Sequence, residues 1–142
     1  MTLDGRLRVP LPVSEAFRLF TARGERDWVE GWDPVFPAPV ADDAEAGTVF
    51  QTDHGGQHVT WVVVDRDGDR RIRYARVAAG RDAGTVEVRL APAGPETEVT
   101  VTYRLTALTP DGDTWLRHFT AHYPDMMRSW EAAIGAHLAR LP

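Results

Sequence analysis

Five consecutive stretches that alternate apolar and polar residues, followed by one long segment with apolar residues every three or four positions, constrain this chain more than any other feature. Thr48 to Thr52, Val59 to Asp65, Arg71 to Val77, Thr85 to Leu90 and Glu98 to Ala107 each carry a two-residue period. Turn-forming residues separate them, among them Asp67-Gly68-Asp69 and Gly94-Pro95. Connections this short force neighbouring strands to run antiparallel. Val86, Val88 and Leu90 alternate with Thr85, Glu87 and Arg89, while Val99, Val101, Tyr103 and Leu105 alternate with Glu98, Thr100, Thr102 and Arg104. One face of the sheet is therefore apolar and the other wet, and the apolar face needs a cover. Ile72 and Tyr74 belong to that inner face, and so, in the same phase, does Arg76.

The C-terminal segment supplies the cover. Trp115, Phe119, Tyr123, Met126, Met127, Trp130, Ile134 and Leu138 recur at helical spacing, with Asp111 or Asp113 expected as the N-cap. At about 1.5 Å per residue, roughly 28 residues make a helix of about 42 Å, and Pro124 is expected to kink it. At the other end, residues 3–9 read as a first strand that Pro10 and Pro12 stop. A helix starts near Val13 or Ser14 and ends at Gly24, and Glu25 to Val29 add a short turn. Residues 31–47, with three prolines and no period, form a loop long enough to be a lid or to cover an opening. The expected order is strand, two short helices, five strands and a long helix: an α+β fold in which a curved antiparallel sheet grips the C-terminal helix.

Composition narrows the chemistry. The 142 residues suit a single domain spanning 1–142. Without cysteine there is no thiol nucleophile, disulfide or thiolate metal site. All 16 basic residues are arginine, so neither a Schiff-base lysine nor a phosphate-loop lysine exists. Ser14 and Ser129 are the only serines, and neither lies in a GxSxG elbow. A net charge of −5 with scattered arginines argues against nucleic acid as a partner. Nothing apolar is long enough for membrane insertion, and residues 1–8 show no signal region, so a cytoplasmic location is expected.

The element order, together with Arg23-Gly24-Glu25-Arg26-Asp27-Trp28-Val29-Glu30-Gly31-Trp32-Asp33-Pro34, resembles the START-like, helix-grip or SRPBCC superfamily. The stretch is similar to a GE-x-x-W-x-x-GWDP block of uncharacterised bacterial members. The superfamily also includes the Bet v 1 type, polyketide cyclases and Hsp90-activator-like domains. The resemblance implies a cavity between sheet and helix that takes an apolar or amphipathic small molecule, without a cofactor.

Candidate ligand-binding residues are Trp28, Trp32, His54, Trp61, Tyr74, Arg76, Tyr103, Phe119, His122, Tyr123 and Met126. Trp28 and Trp32 either stack on a ligand at the cavity mouth or pack the short helices onto the sheet. His54, in phase with Phe50 and Thr52, and His122, next to Tyr123, are the histidines expected nearest the cavity. Each of them is otherwise a surface residue. His118 and His122 lack the glutamate of an HExxH pair, and no metal site is expected. A buried Arg76 needs a partner, either a ligand carboxylate or an acid such as Asp33 or Glu131, unless the strand end turns it to water. Tyr74, Tyr103 and Tyr123 bring hydroxyls to otherwise apolar surfaces.

Three functions fit this frame. The first is a binding protein for an apolar or aromatic small molecule. The second is a cofactor-independent cyclase or dehydratase using a His or Tyr acid–base group. The third is an Hsp90-activator-like interaction domain with a closed core. A homodimer through an edge strand or the Val35 to Val40 loop is compatible with each.

Overall fold

The computed structural model describes residues 1–142. Strand β1 (Thr2–Val9) leads through Pro10 and Pro12 into helix α1 (Val13–Arg18) and a short 3-10 turn (Gly24–Asp27). Strands β2 (Val49–His54), β3 (Gln57–Asp67), β4 (Arg71–Ala78), β5 (Asp82–Ala93) and β6 (Glu96–Ala107) follow, and α2 (Pro110–Ala139) ends the chain. All neighbouring strands are antiparallel in the order β1-β6-β5-β4-β3-β2, so β1 closes the sheet beside β6 while β2 forms the other edge. The register of β3 against β4 shifts between Val63 and Asp65, which bends the sheet locally.

The inner face is as the alternation requires. Ile72, Tyr74, Val86, Val88, Leu90, Val99, Val101 and Leu105 are buried, whereas the outer groove is lined by Arg73, Thr85, Glu87, Arg89, Thr102 and Arg104.

Helix α2 is capped two residues before the nearer expected cap, Asp111. Its N-cap is Thr109, whose Oγ1 accepts from the Gly112 amide at 3.0 Å, and Pro110 follows at a position where no amide is needed. Asp111 and Asp113 sit inside the first turn instead, where carboxylates favour the helix dipole. The helix passes through Pro124 unbroken and its 30 residues span about 45 Å. It lies closest to β1 and β6. Gly5 makes the approach to β1: a Cβ there would stand 2.5 Å from Met127 Cγ and 2.8 Å from Tyr123 Cε2.

Two rows of α2 side chains have different fates. At about 100° per residue, Leu116, Tyr123, Met127 and Ile134 align along one line, and all four are buried. Trp115, Phe119, Met126 and Trp130 lie about 70° around the helix and are only half-buried, because the helix diverges there from β3 and β4.

The loop of residues 31–47 is fastened along the β2 edge. Val35 forms a bridge with Gln51 at the β2 edge, and Phe36 packs 5.9 Å from Phe50. Arg23 and Arg66 fasten it further: the Arg23 amide donates to Asp43 Oδ2 at 2.8 Å, and Arg66 Nη1 donates to Asp42 Oδ2 at 3.3 Å. No helix of the chain is long and apolar enough to cross a membrane.

Candidate functional site

Where α2 leaves the sheet, a cavity of about 530 Å³ opens between the half-buried helix row and the inner ends of β2 to β4. Its apolar wall is Val29, Trp32, Val59, Trp61, Tyr103, Trp115, Phe119, Met126 and Trp130. Exposed Gly31, Asp53, His54 and Gly55 rim its mouth. A smaller recess of about 60 Å³ shares Val29, Trp32, Trp61, Tyr103 and Trp130 with it and reaches inward to Phe50, Tyr74, Val86 and Val88. Glu25 is the only non-hydrophobic residue of that recess.

The aromatic wall is held by hydrogen bonds from ring edges. Trp32 Nε1 donates to the Ala22 carbonyl at 2.7 Å, and Trp61 Nε1 donates to Thr52 Oγ1 at 3.0 Å. Phe50 stacks on Trp61 at 5.8 Å, and Trp32 meets Trp61 edge-on at 5.7 Å.

Arg76 is buried as its phase predicts, with 7% of its side chain exposed. Its partner is neither Asp33 nor Glu131. Asp82, wholly buried on the adjoining strand, accepts from Arg76 Nη2 at 3.0 and 3.3 Å and from Arg81 Nε at 2.9 Å. Asp33 instead lies at the surface beside Arg26, and Glu131 takes the Arg8 amide at 2.7 Å. The β4–β5 turn is itself docked on the start of α2, since Thr109 Oγ1 donates to the Gly80 carbonyl at 2.6 Å and the Leu108 amide to the Arg81 carbonyl at 3.0 Å. A Cβ on Gly112 would lie 1.9 Å from that Arg81 carbonyl oxygen, so glycine permits the dock. Arg81 then rests 3.6 Å over the Trp115 ring, while Arg76 sits 5.2 Å from Trp61 and 6.0 Å from Trp115.

Of the expected residues, Trp32, His54, Trp61, Arg76, Tyr103, Phe119 and Met126 line the larger cavity, and Tyr74 lines the inner recess. Tyr74 has spent its hydroxyl on the Phe20 carbonyl at 2.9 Å. Three residues stand elsewhere. Trp28 is buried behind the wall, 5.4 Å from Trp130, with Nε1 donating to the Leu19 carbonyl at 2.7 Å. Tyr123 belongs to the buried helix row, and its hydroxyl donates to the Val101 carbonyl at 2.6 Å. His122 lies past the cavity row on the solvent side, exposed, with Nδ1 2.9 Å from the His118 carbonyl oxygen. His58 and His118 are exposed too, so the cavity interior holds no histidine. No three histidine or acidic side chains converge in a way that could hold a metal ion.

Glu25, Arg81, Asp82 and Trp115 enter the site without having been singled out as ligand contacts. Asp82 lies in the inward phase of Val86 and Val88, but Gly84 interrupts the alternation between them. Glu25 has no readable signal beyond its place in the Gly24-Glu25 pair, since a four-residue 3-10 turn carries no period. Burial, reinforced by the negative charge of Asp43, holds the Glu25 carboxyl well above the ordinary glutamate value of 4.5. Burial also raises the Tyr103 hydroxyl strongly, with nearby Arg76 pulling the other way. Tyr103 makes no hydrogen bond through its hydroxyl, unlike Tyr74 and Tyr123.

No family model matches the chain, and no curated protein matches it. Solved structures do. The protein MLL2253 from Mesorhizobium loti superposes with a TM-score of 0.74 at 14% identity, over 100% of this chain and 99% of that one. CalU16 from Micromonospora echinospora gives 0.59 at 21% identity, over 97% and 86%. Truncated norcoclaurine synthase from Thalictrum flavum gives 0.69 at 10% identity, over 100% and 95%. What these likenesses share with the chain is architecture: the helix-grip fold, six antiparallel strands curved about a long C-terminal helix.

Proposed function

We propose that this chain is a single-domain cytoplasmic protein that binds an apolar or aromatic small molecule between its sheet and α2. The observation that carries the reading is the cavity of about 530 Å³ behind half-buried Trp32, Trp61, Trp115, Phe119 and Trp130. Protein interiors pack densely enough to leave few voids larger than a water molecule. A space inside the ~300–1,000 Å³ range of small-molecule sites, walled by aromatic side chains with a few polar groups among them, supports binding. Native mass spectrometry of freshly purified protein, followed by unfolding in the same instrument, tests it. A bound mass that leaves on unfolding is expected. A clean apo mass, together with no heat of binding for any aromatic probe, overturns the reading.

One observation favours a second reading, a cofactor-independent cyclase or dehydratase. Glu25 places an acid in the inner recess, without a hydrogen-bonding partner and biased toward its neutral form. A carboxyl held toward its neutral form in such a recess can act as a proton donor. Under this reading E25Q abolishes turnover of the molecule that mass spectrometry identifies while leaving its binding intact; unchanged turnover in E25Q removes it. The interaction-domain alternative requires a closed core, and the open cavity and polar outer groove weigh against it.

A further inference from the structure

Resting on that binding reading, we propose that Arg76, Arg81 and Tyr103 form an anion subsite, and that the ligand is a flat aromatic molecule bearing a carboxylate. Charge balance comes first. Two guanidinium groups share one carboxylate, Asp82, so the cluster keeps one net positive charge in a place where Asp82 is wholly buried and Arg76 nearly so. An uncompensated charge held away from water draws a counter-charge of its own.

Unused donors point the same way. Arg76 commits only Nη2 to Asp82, and its Nη1 makes no hydrogen bond. Arg81 commits only Nε, leaving both terminal nitrogens free beside the cavity. Tyr103, 94% buried by its 6% exposure, adds a hydroxyl with no partner on the same wall. Such donors are unpaired within the protein and available to a bound anion.

Orientation is fixed in advance. Both guanidiniums lie over tryptophan rings, Arg81 on Trp115 and Arg76 between Trp61 and Trp115. Stacking uses the guanidinium face and leaves its in-plane N–H groups free, the geometry that takes a carboxylate with two parallel bonds. A cationic ligand finds no equivalent. Asp82 is sealed, Asp53 stands on the rim 2.9 Å from His58, and burial biases Glu25 toward its neutral form. Beyond the subsite, Trp32, Phe119 and Trp130 give a ring system its walls.

The test is isothermal titration of the intact protein with three matched probes: naphthoate, naphthamide and naphthylmethylammonium. Naphthoate is expected to bind about tenfold or more tightly than naphthamide, the yield of a charged over a neutral hydrogen bond, with the ammonium weakest. R81Q should remove about tenfold from naphthoate alone, and Y103F about threefold. Y103F breaks no hydrogen bond within the protein, so it reports even where R81Q fails to fold. Naphthamide binding as tightly as naphthoate, or the ammonium binding tightest, overturns the subsite and leaves the cavity reading standing. A naphthoate preference indifferent to both R81Q and Y103F also overturns it. Binding by none of the three overturns the subsite and the cavity reading together.

Discussion

Replacing Asp82 by asparagine keeps the shape of the side chain and removes the one negative charge that two arginines share. In the wild type its two oxygens receive contacts of 3.0 and 3.3 Å from Arg76 and 2.9 Å from Arg81. Asparagine can accept through one oxygen only, and its amide turns a donor toward the second guanidinium. Water cannot make up the loss, because Asp82 is 0% exposed and the Arg76 side chain 7%; Arg81, at 19%, recovers some hydration. Breaking a buried charge pair by removing one partner costs about 3–5 kcal/mol. For a chain of this size that lowers Tm by about 10 °C or more. Urea unfolding followed by tryptophan fluorescence should show an earlier midpoint with an unchanged slope, since the surface exposed on unfolding is the same. Replacing Arg76 by Met and Asp82 by Leu together should cost less than D82N alone, as neither buried charge then lacks its partner. A D82N protein within about 1 kcal/mol of wild type would refute the account, because a solvated pair of that kind contributes no more.

Three further outcomes follow from the same structure. The Glu25 carboxyl keeps its proton in the folded state above 4.5, where the unfolded chain has released it, so stability is full below that pH and declines as pH rises through the folded value. E25Q should flatten this decline in a pH series of urea midpoints; a decline of the same size in E25Q would locate its cause elsewhere. G112A drives a Cβ to 1.9 Å from the Arg81 carbonyl oxygen and should cost about 1–3 kcal/mol by overpacking, while also weakening naphthoate binding by displacing Arg81. T109A removes the acceptor for the Gly112 amide and the bond to Gly80, and should cost about 1 kcal/mol in thermal or urea unfolding.

The sheet was legible because its two-residue period is strict and its turns are short, so the phase of Tyr74 and Arg76 could be read without knowing the tertiary structure. The partner of Arg76 was not, because β5 reads as starting at Thr85. Its true start, Asp82, lies beyond a glycine that interrupts the alternation. The α2 stripe was legible as a stripe, but its inner and outer rows differ by about 70°, too little for spacing alone to separate Tyr123 from Phe119 or to exclude His122. Trp28 and Trp32 sit around a 3-10 turn and a glycine, where no period assigns a direction. Only the Trp28 bond to Leu19 and the Trp32 bond to Ala22 separate their roles. Pro124, where a missing amide is expected to kink α2, lies within the unbroken run Pro110–Ala139.

The two rows of α2 also divide the labour of change. Leu116, Tyr123, Met127 and Ile134 are buried, and truncating such residues leaves voids that cost about 2–5 kcal/mol each. Trp115, Phe119, Met126 and Trp130 already border open space, so a new side chain there meets a cavity rather than a packed neighbour. The same helix can therefore be rewritten along one line, altering which molecules fit, while the adjacent line continues to hold the sheet. Divergence of ligand preference without divergence of fold is what such a separation permits.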